Sequence, residues 1–95
     1  MKKKSFTLDS YISRSDEIVA SMLDDEVVMM SIEQDAYYGL DPIGSRIWEI
    51  IEKPARISEI CDVLMEEYDV SRETCEKDVL NFFDKLAKDK LVKAS

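Results

Sequence analysis

AYYGLDPIGSRIWEII, residues 36–51, changes period in its middle. From Ala36 to Leu40 the side chains alternate, with Tyr38 and Leu40 on one face and Tyr37 and Gly39 on the other, as on a strand. From Pro42 onward Ile43, Ile47, Trp48, Ile50 and Ile51 form a broad apolar stripe at helical spacing. Asp41 joins the two, because its carboxylate is a good N-cap acceptor and proline fits the first helical position. Strand and helix are thereby locked together. The strand has a glycine and no Lys or Pro guard. At the margin of a sheet its unpaired backbone is open to another strand.

Upstream, Glu17–Met22 alternates through Ile18, Ala20 and Met22, and after the polar Asp24-Asp25 turn Glu26–Ile32 alternates through Val28, Met30 and Ile32. The pattern predicts a hairpin, which Ala36–Leu40 extends past the Glu33-Gln34-Asp35 turn into a three-stranded antiparallel meander. Sequential pairing places the third strand at an edge. On this reading Val19, Val27, Met29 and Tyr37 sit on the sheet face away from the core. Residues 1–16 mix Lys, Ser, Thr and Asp with isolated Phe6, Leu8, Tyr11 and Ile12. They predict an irregular N-terminal arm laid partly against a domain spanning residues 17–95.

Downstream, Pro54 ends the first helix near Glu52. A second helix is expected from about Ile57 to Tyr68 on Ile57, Ile60, Cys61, Leu64 and Tyr68. After the tight Asp69-Val70 connection Ser71 caps a third helix running to about Lys88, with Cys75, Val79, Phe82 and Leu86 as its inner stripe, and Leu91 and Val92 return to the core. The fold class is α+β: a winged-helix-like domain, with a three-stranded antiparallel sheet followed by three helices. Leu80 and Phe83 flank the inner stripe, so the third helix carries more apolar surface than one buried stripe needs. Beside the edge strand they would line a groove.

At 95 residues there is room for one domain and one modest core. A hydrophobic share of 45% against 36% charged residues describes a globular chain. No apolar run approaches the roughly 20 residues of a membrane span. The basic start MKKKSFTLDSY has no apolar segment behind it and is no secretion signal, so a cytoplasmic location is expected. A net charge of −8 argues against nucleic acid, whose phosphates draw clustered cations. The chain has no His, which removes Ser-His and Cys-His nucleophilic sites and most zinc sites. Cys61 and Cys75 read as buried thiols on two helices. No cofactor, no metal site and no catalytic residue is expected.

The run YYGLDPIGSRIWEII, followed by ISEICDVLMEEYDVS and CEKDVLNFFDKLAKDKLV, resembles the PqqD-like family, the recognition elements of ribosomally made and post-translationally modified peptide pathways. The resemblance covers Val28 to Val92. It rests on a combination: an aromatic strand ending in Leu-Asp, then Gly-x-x-Ile-Trp, an acidic helix ending Glu-Glu-Tyr-Asp-Val, and Asp-Val-x-x-Phe. It implies a winged-helix domain to which the leader segment of a precursor peptide adds as a strand on the third strand, packing against the third helix. Peptide-binding residues are then Ala36, Tyr37, Tyr38, Gly39, Leu80, Phe83 and Lys85, with Lys85 or Arg46 meeting leader carboxylates. The short form with YYGLD and IWEII looks most like the proteins of lasso-peptide clusters that work with a separate leader peptidase. It looks less like the pyrroloquinoline quinone chaperone that presents its peptide to a radical SAM enzyme. Asp41 stands where the family often has Asn and can still cap, whereas Arg56, where Thr is frequent, leaves the start of the second helix short of an acceptor.

Three other classes compete with a non-catalytic adaptor. Winged helices often bind DNA through their third helix, and Lys77, Lys85 and Lys88 lie along one side of it, but Glu76, Asp78, Asp84 and Asp89 balance them. An enzyme would need a base, a nucleophile or a phosphate loop in context, and none is present. A homodimer through the outer sheet face around Val19, Val27 and Met29 is compatible with the adaptor role.

Overall fold

The computed structural model describes residues 6–94, so the lysine cluster at the start of the expected arm lies outside the described residues. In chain order the elements are β1 Tyr11–Arg14, β2 Ile18–Leu23, β3 Glu26–Ser31, β4 Ala36–Gly39, α1 Pro42–Ile50, β5 Ala55–Arg56, α2 Ile57–Glu67, α3 Arg72–Lys88 and β6 Val92–Ala94. The expected meander is present, with strand order β2-β3-β4 and both pairings antiparallel. Its two-residue hairpin turn places Asp24 and Asp25 at φ 54° and 70°. Left-handed φ at both central residues gives a turn whose twist matches the flanking strands, and Asp tolerates it better than most residues.

Two sequence-based expectations change in this half. The meander faces the helices with Val27, Met29 and Ser31, all buried, not with Val28, Met30 and Ile32. β3 is apolar on both faces, so its alternation fits either register, and a tertiary contact decides: the Ser45 hydroxyl on α1 accepts from the Val27 N–H at 2.8 Å. The second change concerns the irregular arm. Tyr11–Arg14 is the central strand of a second sheet, β5-β1-β6, antiparallel to both neighbours, with Ile12 fully buried. Four residues flanked by polar ones carry too little periodicity to read as a strand, and their partners lie some 40 and 80 positions downstream.

The helices start where the caps put them. The Asp41 carboxylate accepts from the Gly44 N–H at 2.7 Å, with Pro42 opening α1, and the Ser71 hydroxyl accepts from the Thr74 N–H at 3.3 Å. α2 has no such cap, because the Arg56 guanidinium only donates. Its first N–H groups go to the N-terminal segment instead, Ile57 to the Ser10 carbonyl and Ser58 to the Leu8 carbonyl, both at 3.0 Å. Glu59 completes the end by accepting from the Arg56 N–H at 3.3 Å. Arg14 ties the same segment to α1: Nη2 donates to the Trp48 carbonyl at 2.6 Å, and the guanidinium lies 4.7 Å from the Trp48 ring centroid. One core, from Ile12 and Met29 through Ile47, Trp48, Ile60 and Leu64 to Val79, Phe83, Leu86 and Leu91, joins both sheets to the three helices.

Candidate functional site

β4 is an edge strand, and the ladder fixes which of its groups are free. The Leu40 N–H donates to the Val27 carbonyl at 2.9 Å, so Leu40 and Val27 are a hydrogen-bonded pair. Such pairs alternate along an antiparallel ladder. Ala36 and Tyr38 therefore also point their backbone groups into the sheet, opposite Ser31 and Met29, while Tyr37 and Gly39 point theirs out of the open edge. Four expected site residues thus divide by role. Tyr37 and Gly39 offer two N–H and two C=O groups to an added strand, whereas Ala36 and Tyr38 hold β4 in place. Tyr37 is 74% exposed, and a Cβ on Gly39 would meet nothing within 4 Å.

Two residues past Gly39, Asp41 lines a cavity of about 500 Å³ walled by α1, the end of α2 and α3. Its apolar wall comprises Ile43, Ile47, Leu64, Tyr68, Val79 and Phe82, and its polar lining comes from Asp41, Asp78, Asn81 and Lys85. Gly44 lets Phe82 reach this wall. A Cβ at position 44 would stand 3.0 Å from the Phe82 ring, closer than carbon atoms normally approach. The ring is held from the other side by Phe83, edge to face, with centroids 5.4 Å apart.

The two α3 aromatics exchange the places expected of them. Phe83 is fully buried and belongs to the core, and half-buried Phe82 faces the cavity. Adjacent residues on a helix differ by only about 100° in direction, so a stripe drawn one position off fits the sequence nearly as well. Leu80 packs half-buried against the core and is not part of the cavity wall. It lies about 200° around the helix from Phe82, on the opposite flank of α3. Lys85 is exposed and lines the cavity. Arg46 is not free for a peptide. It forms a forked pair with Glu67, at 2.9 and 2.6 Å, and reaches Glu49 at 3.2 Å. That hydrogen bonding pushes the Arg46 pKa up and holds the Glu67 carboxyl below its usual range. The pair fastens α1 to α2.

Ile43 and Tyr68 line the cavity, although periodicity assigned them to the core. The signal that marked them was weak: Ile43 makes the α1 stripe broader than one buried face, and Tyr68 stands at the end of α2. Cys75 also lines the cavity, yet burial raises its thiol pKa, and burial followed by the neighbouring Cys75 pushes Cys61 up to about 12. Neither is an activated nucleophile. Among the described residues there is no group of three His, Cys, Asp or Glu side chains placed to hold a metal, and no helix long and apolar enough to cross a membrane. The site offers backbone pairing, an apolar recess and a mixed-charge rim, which together suit an extended peptide with an apolar anchor.

Comparison with known proteins finds the same architecture in peptide-binding company. The family Coenzyme PQQ synthesis protein D (PqqD) matches residues 26–92. TbiB1, solved in complex with the TbiA(beta) leader peptide, is 41% identical over 85% of this chain and 94% of its own, with a TM-score of 0.82. A lasso peptide synthetase B1 complexed with the leader peptide superposes at TM-score 0.73, with 17% identity over 86% of this chain and 96% of that one. The PqqD truncation of Methylobacterium extorquens PqqCD, a ribosomally synthesized and post-translationally modified peptide recognition element, gives 0.79 at 16% identity, covering 94% and 95%. At those identities the last two bear on fold. No curated protein matches by sequence.

Proposed function

Because this chain belongs to the PqqD family, we propose that it is a non-catalytic adaptor that binds the leader of a ribosomally made precursor peptide and delivers it to a leader peptidase or another modifying enzyme. The observation that carries this is an open edge close in the chain to a recess: Tyr37 and Gly39 turn their backbone groups away from β3, and Asp41, two residues on, lines the cavity together with Ile47, Val79 and Phe82. A peptide pairing with β4 places alternate side chains toward the helical layer, and one apolar residue fills the recess next to Phe82. Lys85, Asp41 and Asp78 then meet polar leader residues at the rim. The 41% identity to TbiB1, a protein solved with a leader peptide, supports a leader as the ligand; that it is a lasso-peptide leader rests on the YYGLD and IWEII motifs.

Titrating the TbiA(beta) leader and the leader of the chain's own precursor into isotope-labelled protein tests this. Amide shifts should concentrate at Tyr37 and Gly39 and along α3 around Phe82 and Lys85. Shifts confined to β1, β5 and β6, or no binding of either leader, would overturn the assignment.

A further inference from the structure

Among the described residues, nothing covers the outer face of the β2-β3-β4 sheet. Its cross-strand rows run Glu17–Ile32, Val19–Met30–Tyr37, Ser21–Val28–Gly39 and Leu23–Glu26. The solvated face of an antiparallel sheet is normally polar. Here Val19 is 53% exposed, Leu23 63% and Ile32 55%, alongside Tyr37 and half-buried Val28 and Met30, which is a contiguous apolar patch and not scattered residues.

Charge is distributed as unevenly as burial. Residues 15–45 carry eight carboxylates and no Lys or Arg, and the other thirteen acidic residues are balanced by all thirteen basic ones, so the whole net charge of −8 matches what this sheet segment holds. Lys93 and Lys90 approach Asp16 and Glu33 at 3.5 and 3.8 Å. Glu17, Asp24, Asp25, Glu26 and Asp35 have no ion-pair partner among the described residues.

We propose that this face docks the enzyme that receives the leader, through an apolar surface flanked by Lys and Arg side chains; the proposal rests on the leader-binding reading above. A second copy of the chain is the wrong partner, because stacking two such faces brings two sets of unpaired carboxylates together. A cationic surface gains from the same charges, and most of that gain is in the rate of encounter. A leader strand added at β4 continues the sheet, so its outward side chains stand beside Tyr37 and Gly39 and join the docking surface. The enzyme thereby meets the adaptor and its cargo as one face.

The chemistry can be tested with a synthetic undecapeptide of alternating Leu and Thr with Lys-Lys at both ends, beside a counterpart ending in Glu-Glu. The lysine peptide should shift the side-chain methyls of Val19, Leu23, Val28 and Ile32 and weaken several-fold from 50 to 200 mM salt, as expected when exposed charges are screened. The glutamate peptide should leave those methyls unmoved. Joint substitution Leu23→Ser and Ile32→Ser should weaken the lysine peptide at least tenfold and leave affinity for the TbiA(beta) leader unchanged. Equal binding of both peptides, or shifts confined to the β4 edge and Phe82, overturns the proposal. So does a dimer in sedimentation equilibrium that the Leu23→Ser, Ile32→Ser chain loses, since a second copy would then own the face. Loss of leader binding by the unaltered chain, with the methyl shifts intact, would sink the leader-binding reading instead.

Discussion

β1 and β4 are both four-residue strands, and they sit in opposite situations. β1 is bonded on both sides, holds the fully buried Ile12, and is closed over by strands from the middle and the end of the chain. β4 is bonded on one side and leaves Tyr37 mostly in water. The β5-β1-β6 sheet fastens the segment around Ile12, the start of α2 and residues 92–94 into one body, and among the described residues the β2-β3-β4 sheet is left with a free edge and a bare face, and it holds the surplus charge. On the proposed leader-binding reading, stability and recognition fall to different sheets. Substitutions in the first should alter folding with little effect on affinity, and substitutions at the second should do the reverse.

The largest effects test the closed side. Ile12→Ala should lower stability by about 2–5 kcal/mol, the usual range for truncating a buried branched side chain, and Phe83→Ala by about 3–5 kcal/mol. Denaturant titration reads both, and for Ile12→Ala leader affinity per folded molecule should stay at the parent value. An Ile12→Ala chain that keeps its stability but loses the leader would break the division between the sheets.

Next comes the recess. Phe82→Ala removes a half-buried ring from the cavity wall and should cost about 2 kcal/mol of leader binding, roughly thirtyfold, with a smaller loss of stability than Phe83→Ala. Leu80→Ala, on the opposite flank of α3, should bind as the parent does. Anisotropy titrations on the two variants separate the flanks, and the reverse ranking would return Leu80 to the site.

Gly39→Pro sharpens the comparison at the level of single hydrogen bonds. The Gly39 N–H points out of the sheet, so proline there removes no β3–β4 bond and sits where edge strands tolerate it. Loss of that one donor should weaken the leader by about 0.5–1.5 kcal/mol, roughly two- to tenfold, with thermal stability little changed. Tyr38→Pro, one residue earlier, removes a ladder bond to Met29 and should unfold the sheet. A Gly39→Pro chain less stable than the Tyr38→Pro chain would show that the assignment of inward and outward groups is reversed.

Salt should have the smallest effect. With Arg46 already paired to Glu67, few cations remain for leader carboxylates, and exposed pairs are worth about 0–1 kcal/mol each. Leader affinity should therefore change by less than about tenfold between 50 and 200 mM salt. A DNA reader making about 6–10 phosphate contacts would lose three to five decades over the same range. Anisotropy with leader and with duplex DNA at both concentrations distinguishes the two.

Much of the architecture was legible because its signals are local. Asp41-Pro42 and Ser71 mark helix starts by side-chain chemistry alone, the meander follows from alternation broken at polar turns, and the edge position of β4 follows from sequential pairing. The candidate site was only partly legible. Tyr37, Gly39 and Lys85 came from position and chemistry, but Phe82 and Phe83 are neighbours in a run where the stripe shifts with one residue of phase, and Ile43 and Tyr68 look like core to any periodicity argument. β3 poses the same problem in a strand: Val27, Val28, Met29 and Met30 are all apolar, so alternation cannot say which pair faces the helices.

By itself the sequence determined the α+β order, the caps, the open third strand of the meander and the placing of all surplus charge between residues 15 and 45, because each depends on a residue and its near neighbours. Tertiary structure decided the rest. Whether Val27 or Val28 is inside, whether Phe82 or Phe83 lines the recess, and whether residues 11–14 are an arm or a central strand depend on partners as distant as Ser45, Gly44 and Val92. The physical reason is that burial belongs to a side chain's surroundings: an apolar residue carries the same transfer free energy in either register, and only packing against a particular neighbour selects one.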